Sequence, residues 1–373
     1  MNTGLTMNPN FKSGKTYLRA YSMTEDKSIL IKNIYYMLAY AFGTFKSGEY
    51  ENIETEKFDN IHNLFAALLS KGIGKQLKQG LYREYLNQKE DLAVVRGKID
   101  LTGSIKNLVS KKQVLTCEYD VLSENNLLNR IVKTTVFLLL KKADVEQKYK
   151  DTLKKEMLYF SNVDTIDLRT VRWSSIRFQR GNNSYRILIG ICWLIIEGML
   201  LTTDNGDYRL SSVINERPMH QLYEKFLLGF YAKECPQVKT SSSEISWALD
   251  DENRFLLPTM QSDVMLSKDN TVLIIDAKYY GRIMMQQFNV SKLRSAHLYQ
   301  IFSYVKNKDA EFVEQNHSVS GMLLYASTSE AIQPDCTYMM SGNKISVCTL
   351  DLNKDFSVIS SYLKAIVEEH FGK

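Results

Sequence analysis

The segment Thr271–Gly281, TVLIIDAKYYG, constrains the fold of this chain more than any other. It opens with five residues suited to a dry β-strand, then places Asp276 and Lys278 on either side of one alanine. Residues two apart on a strand point to the same face. A strand built for a core therefore ends in an acid and a base on one side, and unpaired charges are costly to bury. Something outside the strand has to compensate them.

The neighbouring segments supply the rest of an α/β arrangement. SEISWALD, LLPTMQSDVMLS, TVLIIDAKYY, SGMLLYAS and KISVCTLDL read as short strands. The stretch KLRSAHLYQIFSYVKN lies among them with helical spacing, and FSVISSYLKAIVEEHF closes the chain as another helix. Before the strands, NERPMHQLYEKFLLGFYAKECP is an amphipathic helix entered through Pro218 and stopped near Pro236. The order is helix, three strands, helix, two strands, helix, with no internal repeat.

The first half is more helical, an α+β part. SILIKNIYYMLAYAF and FDNIHNLFAALLSKGIGKQL carry apolar residues at helical spacing. GLYREYLNQKEDLAVVRGKIDLTGSI alternates in shorter runs and reads as strands or an extended hairpin. A helix follows in LSENNLLNRIVKTTVFLLLKKA, with Ser123 as the expected N-cap and Lys141 and Lys142 suited to its C-terminus. DTLKKEMLYFSNV continues the helical block. The apolar stretch Ile187–Leu201 carries Glu197 and falls short of the roughly 20 residues a membrane span needs, so it reads as a buried helix.

Composition excludes some classes. Five cysteines lie far apart with no CxxC pair, which argues against a disulfide framework or a zinc site and fits a reduced, cytoplasmic setting. The first 27 residues lack an apolar h-region and read as a disordered leader. A net charge of +5 is compatible with nucleic acid without requiring it. Lys71, Lys75, Lys78, Arg83 and Lys89 form a basic stretch that either faces DNA or a partner, or is simply solvated.

Asp263, in MQSDVML, is the third charge near the strand. If the turn near SKDNT sets Ser267 opposite Val272, Asp263 falls opposite Asp276; an even-numbered loop keeps the acids on one face and an odd one separates them. Paired carboxylates repel unless a cation sits between them. Mg²⁺ suits such a site, being held by one or two carboxylates with waters and a phosphate oxygen. A lysine beside it can stabilise developing charge or position an attacking water. The chemistry implied is metal-assisted phosphodiester hydrolysis. An Asp–Lys ion pair at a strand end is the plain alternative. Glu224, on the preceding helix, could complete the metal shell or could face solvent paired with Lys225 or its neighbours. Gln300 and Tyr304 are four apart and share a face of the following helix, where Tyr304 could equally be core.

Glu224, Asp263, Asp276-Ala277-Lys278 and Gln300-x-x-x-Tyr304, in this order, resemble the PD-(D/E)XK nuclease core with the Q-x-x-x-Y helix of RecB-type members. IKNIYYMLAYAF, VVRGKIDLTGSI, CEYDVLSENNLLNRIVK, LYEKFLLGFY and QSDVMLS…IIDAKYY extend the likeness to the McrC subunit of the modified-cytosine restriction system, over about residues 28 to 330. Ser262 stands where the motif has proline. The resemblance implies a mixed central sheet flanked by helices in a nuclease domain over residues 181–373, and a partner-binding region over 28–180. It implies Asp263, Asp276 and Lys278 as the catalytic set, with Asp263, Asp276 and Glu224 on the metal and Gln300 in support. It further implies docking on a hexameric AAA+ GTPase of McrB type, whose GTP hydrolysis is stimulated and which recognises modified cytosine.

No GxxxxGK[ST] P-loop is present, so GTP belongs to the partner and not to this chain. Basic residues between Lys71 and Lys112, including Arg83 and Arg96, are candidates for reaching into the ring. Two other readings share these residues: an activator of an AAA+ partner with an idle nuclease fold, and a free-standing RecB-like repair nuclease.

Overall fold

The computed structural model describes residues 27–42, 58, 60–142, 144–202, 208–210, 214–251, 253–287, 290–312 and 316–372. Apart from Lys27, the expected leader lies outside these residues.

The described chain begins with helices α1 (Lys27–Ala41) and α2 (Ile61–Gln79). A small module follows: β1 (Glu84–Leu92), β2 (Lys98–Ile99), α3 (Leu101–Val109) and β3 (Leu115–Ser123). Helices α4 (Leu127–Leu140), α5 (Gln147–Met157) and α6 (Arg186–Met199) lead into a ribbon of β4 (Leu200–Thr202) and β5 (Tyr208–Leu210). Next come α7 (Glu216–Glu234), β6 (Lys239–Ser241), β7 (Glu244–Ile245), β8 (Met260–Gln261), β9 (Val264–Lys268) and β10 (Thr271–Lys278). The chain ends with β11 (Met285–Gln287), β12 (Val290–Lys292), α8 (Ser295–Asp309), β13 (Ser318–Ala326), β14 (Cys336–Met340), β15 (Asn343–Leu350) and α9 (Phe356–Phe371).

Of the two readings of the segment around Arg83–Ile99, strands are what forms: β1 and β2 do not pair with each other, and both pair antiparallel with β3, in the order β1-β3-β2. Gly97 makes this possible, because its φ of +68° and its approach to the Glu118 carbonyl leave no space for a Cβ. Ser123, the expected N-cap, is instead the last residue of β3, and its hydroxyl accepts the Asn125 N–H at 3.0 Å. The N-cap of α4 is Asn126, whose side chain accepts from the Asn129 N–H at 3.2 Å.

The main sheet has the order β14-β15-β13-β10-β9-β6, with β10, β13 and β15 parallel and the outer pairings antiparallel. β10 sits inside it and is buried from Val272 to Lys278. Leu273, Ile275 and Ala277 face a core that continues into α7, α1 and α9. Val272 and Ile274 face a second core containing Ile301 and Val305 of α8. By the same alternation, Asp276 and Lys278 belong to the α8 side.

The first core runs without interruption into the helical half. α6 is buried on almost every side except at Arg186 and Glu197, so its apolar sequence serves packing. Among the described residues no helix is long and apolar enough to cross a membrane. α1 lies so close to α7 that a Cβ on Gly229 would collide with the Tyr40 carbonyl. The Asn33 amide then ties α1 to the far end of the chain, donating to the Leu352 carbonyl at 2.7 Å and the Lys354 carbonyl at 2.8 Å.

Candidate active site

The β9–β10 hairpin turns through Asp269 and Asn270, with Asp269 at φ 51°. Acidic and amide residues tolerate that left-handed conformation better than most. The register sets Ser267 opposite Val272 and Val264 opposite Ile275. One further step brings Asp263 opposite Asp276, on the same face. Asp263 Oδ2 accepts the Ala277 N–H at 2.8 Å, so its carboxylate reaches across the hairpin end.

Asp276 and Lys278 are only 1 % and 5 % exposed. The Lys278 Nζ lies 2.6 Å from Asp276 Oδ2 and donates to Gln300 Oε1 at 3.0 Å. Gln300 in turn donates to the Tyr304 hydroxyl at 3.0 Å, so both polar residues of this α8 face are used to hold the lysine. The ammonium approaches Asp276 Oδ2 off the line of a hydrogen bond. That buried oxygen has charge compensation but no aligned donor.

Charge in the cluster is unbalanced. Burial pushes the Asp263 carboxyl up to about 7, with the Asp276 and Glu224 carboxylates adding to it. Burial also raises Asp276 above the ordinary carboxylate range, against the pull of Lys278. Burial pulls the Lys278 ammonium down, but Asp276 and Asp263 more than reverse this and leave it above its usual value. Three carboxylates thus share essentially one buried cation, an environment that favours a further positive charge.

Glu224 is paired with His220, not with Lys225: the imidazole Nδ1 is 2.6 Å from Glu224 Oε1. His220 is the residue that the sequence pattern alone does not single out. A signal for it exists in HQLYE, where His220 stands one helical turn before Glu224 on the same face of α7. Its ring packs edge-on against Tyr280 at 5.5 Å, and Tyr280 stacks on His297 at 5.3 Å. His297 Nδ1 meets the Tyr325 hydroxyl at 2.7 Å. Burial, then Lys278, Arg294 and His220, pull His297 down to about 4, so it is neutral near pH 7.

The donors suit a hard divalent cation: Asp263, Asp276 and Glu224 carboxylates with the His220 imidazole near them. Among the described residues no three His, Cys, Asp or Glu side chains are placed so that they could together hold a metal ion. Each of the site's donors is turned toward a partner within the protein, as the Asp276–Lys278 and Glu224–His220 pairs show. Asp263 and Glu224 border an opening of about 310 Å³, shared with Ser242, Gln261 and Ser262.

Ser262, in place of the motif's proline, is buried and fastens this region. Its hydroxyl donates to the Ser243 carbonyl at 3.1 Å and accepts the Ser243 N–H at 3.2 Å.

Residues 10–326 match the model of a family described as the McrBC 5-methylcytosine restriction system component. The chain belongs to the McrBC family. It is 27 % identical over 350 residues to the type IV methyl-directed restriction enzyme EcoKMcrBC of Escherichia coli K12, covering 93 % of this chain and 99 % of that protein. A chain in the half-complex from a tetradecameric assembly of Thermococcus gammatolerans McrB AAA+ hexamers with bound McrC has a similar fold. The TM-score is 0.51 at 19 % identity, over 94 % of this chain and 78 % of that one.

In this McrBC-family chain, the basic residues expected to reach outward are partly occupied. Arg83 pairs with Glu124 at 2.7 Å, and the Arg96 guanidinium lies 4.0 Å from the Tyr119 ring centre. Lys89 sits between Asp100 at 2.5 Å and Glu118 at 3.1 Å. The β1–β3 module instead exposes Tyr85, Val94, Leu101, Ile105, Leu108 and Val109.

Proposed function

We propose that this chain is the Mg²⁺-dependent endonuclease subunit of a two-component, GTP-dependent restriction system. On this reading it cuts DNA containing modified cytosine and stimulates the GTPase of a hexameric AAA+ partner of McrB type. The observation that carries it is the gathering of Asp263, Asp276 and Lys278 on one face at the end of β10, with Gln300 bound to the lysine. The domain over residues 181–373 then works as a PD-(D/E)XK nuclease, in the cytoplasm, and the region over 28–180 engages the partner.

Asp263, Asp276 and Glu224 would hold the ion. A bound Mg²⁺ supplies Lewis-acid polarisation of the phosphodiester and neutralises its charge. Lys278 places a fixed ammonium beside the reacting phosphate, where preorganised charge stabilises a developing oxyanion. Gln300 and Tyr304 keep that ammonium aimed, and His220 holds the Glu224 carboxylate in place. The exposed apolar module supports the partner assignment, as do the McrB hexamers with bound McrC in the Thermococcus assembly. Recognition of the modified base is the partner's task.

The test is plasmid cleavage with Mg²⁺, GTP, a McrB-type partner and DNA bearing methylcytosine, comparing wild type with Asp276→Ala. Cutting by wild type alone is expected. Undiminished cutting by Asp276→Ala overturns the site. No cutting by either protein, together with accelerated GTP hydrolysis, assigns the chain to the activator reading.

A further inference from the structure

A cavity of about 760 Å³ adjoins the site, bounded by α6, α7 and the segment around Trp173. Glu224 and Lys225 line both it and the smaller opening at Asp263, so the two spaces are neighbours across α7. Its volume lies in the range of built ligand pockets, roughly 300–1,000 Å³.

The walls are aromatic and cationic. Trp173, Phe178 and Trp193 line the cavity with Arg186, Arg217 and Lys225. The Lys225 Nζ is 4.9 Å from the Trp193 ring centre, and the Arg186 guanidinium is 5.4 Å from that of Phe178. Among the described residues none of these three cations has a carboxylate at ion-pair distance. The cavity's two carboxylates are engaged elsewhere: Glu197 accepts the Trp173 indole N–H at 2.7 Å, and Glu224 holds His220 at 2.6 Å. The space therefore presents aromatic side chains and three cations against two carboxylates.

We propose that this cavity accepts one unstacked nucleotide of the strand being cut, next to the phosphate that would lie by Lys278 and the cation site at Asp263 and Asp276. The assignment rests on the nuclease reading above. Ring faces bind bases without regard to sequence, and each stack contributes about 1–3 kcal/mol. Arg186, Arg217 and Lys225 supply the phosphate contacts that such a groove needs. Trp193 is recessed, only 9 % exposed, so paired bases in a duplex do not reach it and a base swung out of the stack does. A strand bent in this way turns its next phosphate toward Glu224 and Asp263.

The experiment uses the full chain with Ca²⁺ replacing Mg²⁺ and short single-stranded oligodeoxynucleotides carrying 2-aminopurine at successive positions. Emission is expected to be quenched at one position. Trp173→Ala should relieve that quenching and weaken binding about tenfold. Trp173→Phe should restore most of it. Arg186→Glu with Arg217→Glu should weaken binding at least tenfold and flatten its salt dependence, with an unchanged melting temperature. Wild-type binding and quenching in the Trp173→Ala and charge-reversed proteins overturn the proposal. So does unchanged oligonucleotide binding with loss of partner binding, which assigns the cavity to a protein segment. The nuclease reading is tested separately, by cleavage in Asp276→Ala with an intact cavity: its failure leaves the quenching result standing.

Discussion

Gln300 accepts a hydrogen bond from Lys278 at 3.0 Å while its own amide donates to Tyr304 at 3.0 Å. The lysine is thus aimed by a neutral side chain that is itself held. Gln300→Ala should lower kcat about tenfold or more, the scale of one lost hydrogen bond to a charged group, with KM nearly unchanged. Tyr304→Phe should give a smaller loss in the same direction. Steady-state cleavage kinetics check both, and unchanged kcat in Gln300→Ala would remove the residue from the site.

The Asp276–Lys278 pair invites a double-mutant cycle. Removing one partner leaves the other buried, so Asp276→Ala and Lys278→Met should each cost about 3 kcal/mol or more. The double variant should be less destabilised than the sum, because neither member of the pair is left without the other, although Asp263 also loses its buried cation. Denaturant unfolding measures all four proteins. Additive costs would show that the two groups are not coupled.

Much of this site is legible in the order of the residues alone. Helix faces and strand alternation are local, so an even turn suffices to set Asp263 opposite Asp276, and a four-residue step sets Gln300 beside Tyr304. His220 is equally local, but a histidine on a helix has many possible neighbours, and only the fold brings Tyr280 and the charged strand against it. The central position of β3, the burial of α1 against the C-terminal half and the aromatic cavity depend on contacts between distant segments. No spacing rule encodes those contacts.

Mg²⁺ should stabilise the folded protein if Asp263, Asp276 and Glu224 hold it. At a hundred times its Kd, a ligand that binds only the native state adds about 2.7 kcal/mol. Thermal melts with and without Mg²⁺ should differ for wild type, and the difference should vanish in Asp263→Asn. An equal shift in that variant would place the ion elsewhere.

Glu156 on α5 offers a pH test remote from the site. Burial pushes its carboxyl up to about 7, although the Ser70 hydroxyl donates to it at 3.2 Å and works in the opposite direction. The unfolded chain loses this proton near 4.5 and the folded chain holds it to about 7. The folded state therefore binds more protons between those values, and stability falls as pH rises through that window. Glu156→Gln should flatten the fall and be more stable than wild type above pH 7 by about 1–3 kcal/mol. Unfolding curves at a series of pH values check this; parallel profiles for the two proteins would refute it.

The exposed apolar face of the β1–β3 module should matter to the partner and not to the fold. Leu108→Asp with Val109→Asp replaces two exposed side chains, so stability should stay within about 0.5 kcal/mol per change. Stimulation of a McrB-type GTPase should drop several-fold in the same protein. Full stimulation would exclude this face from the contact.

The hydrogen bond from Asn33 to the Leu352 carbonyl joins residues 319 positions apart. At about 5–20 residues per second, a ribosome that has made α1 needs on the order of 15–60 s more before its acceptor exists. Until then one side of α1 has nothing to pack on, and the layer beneath the charged strand is incomplete. An unfinished chain therefore lacks the support beneath Asp276 and Lys278, and synthesis itself sets the earliest moment at which that charged cluster can assemble.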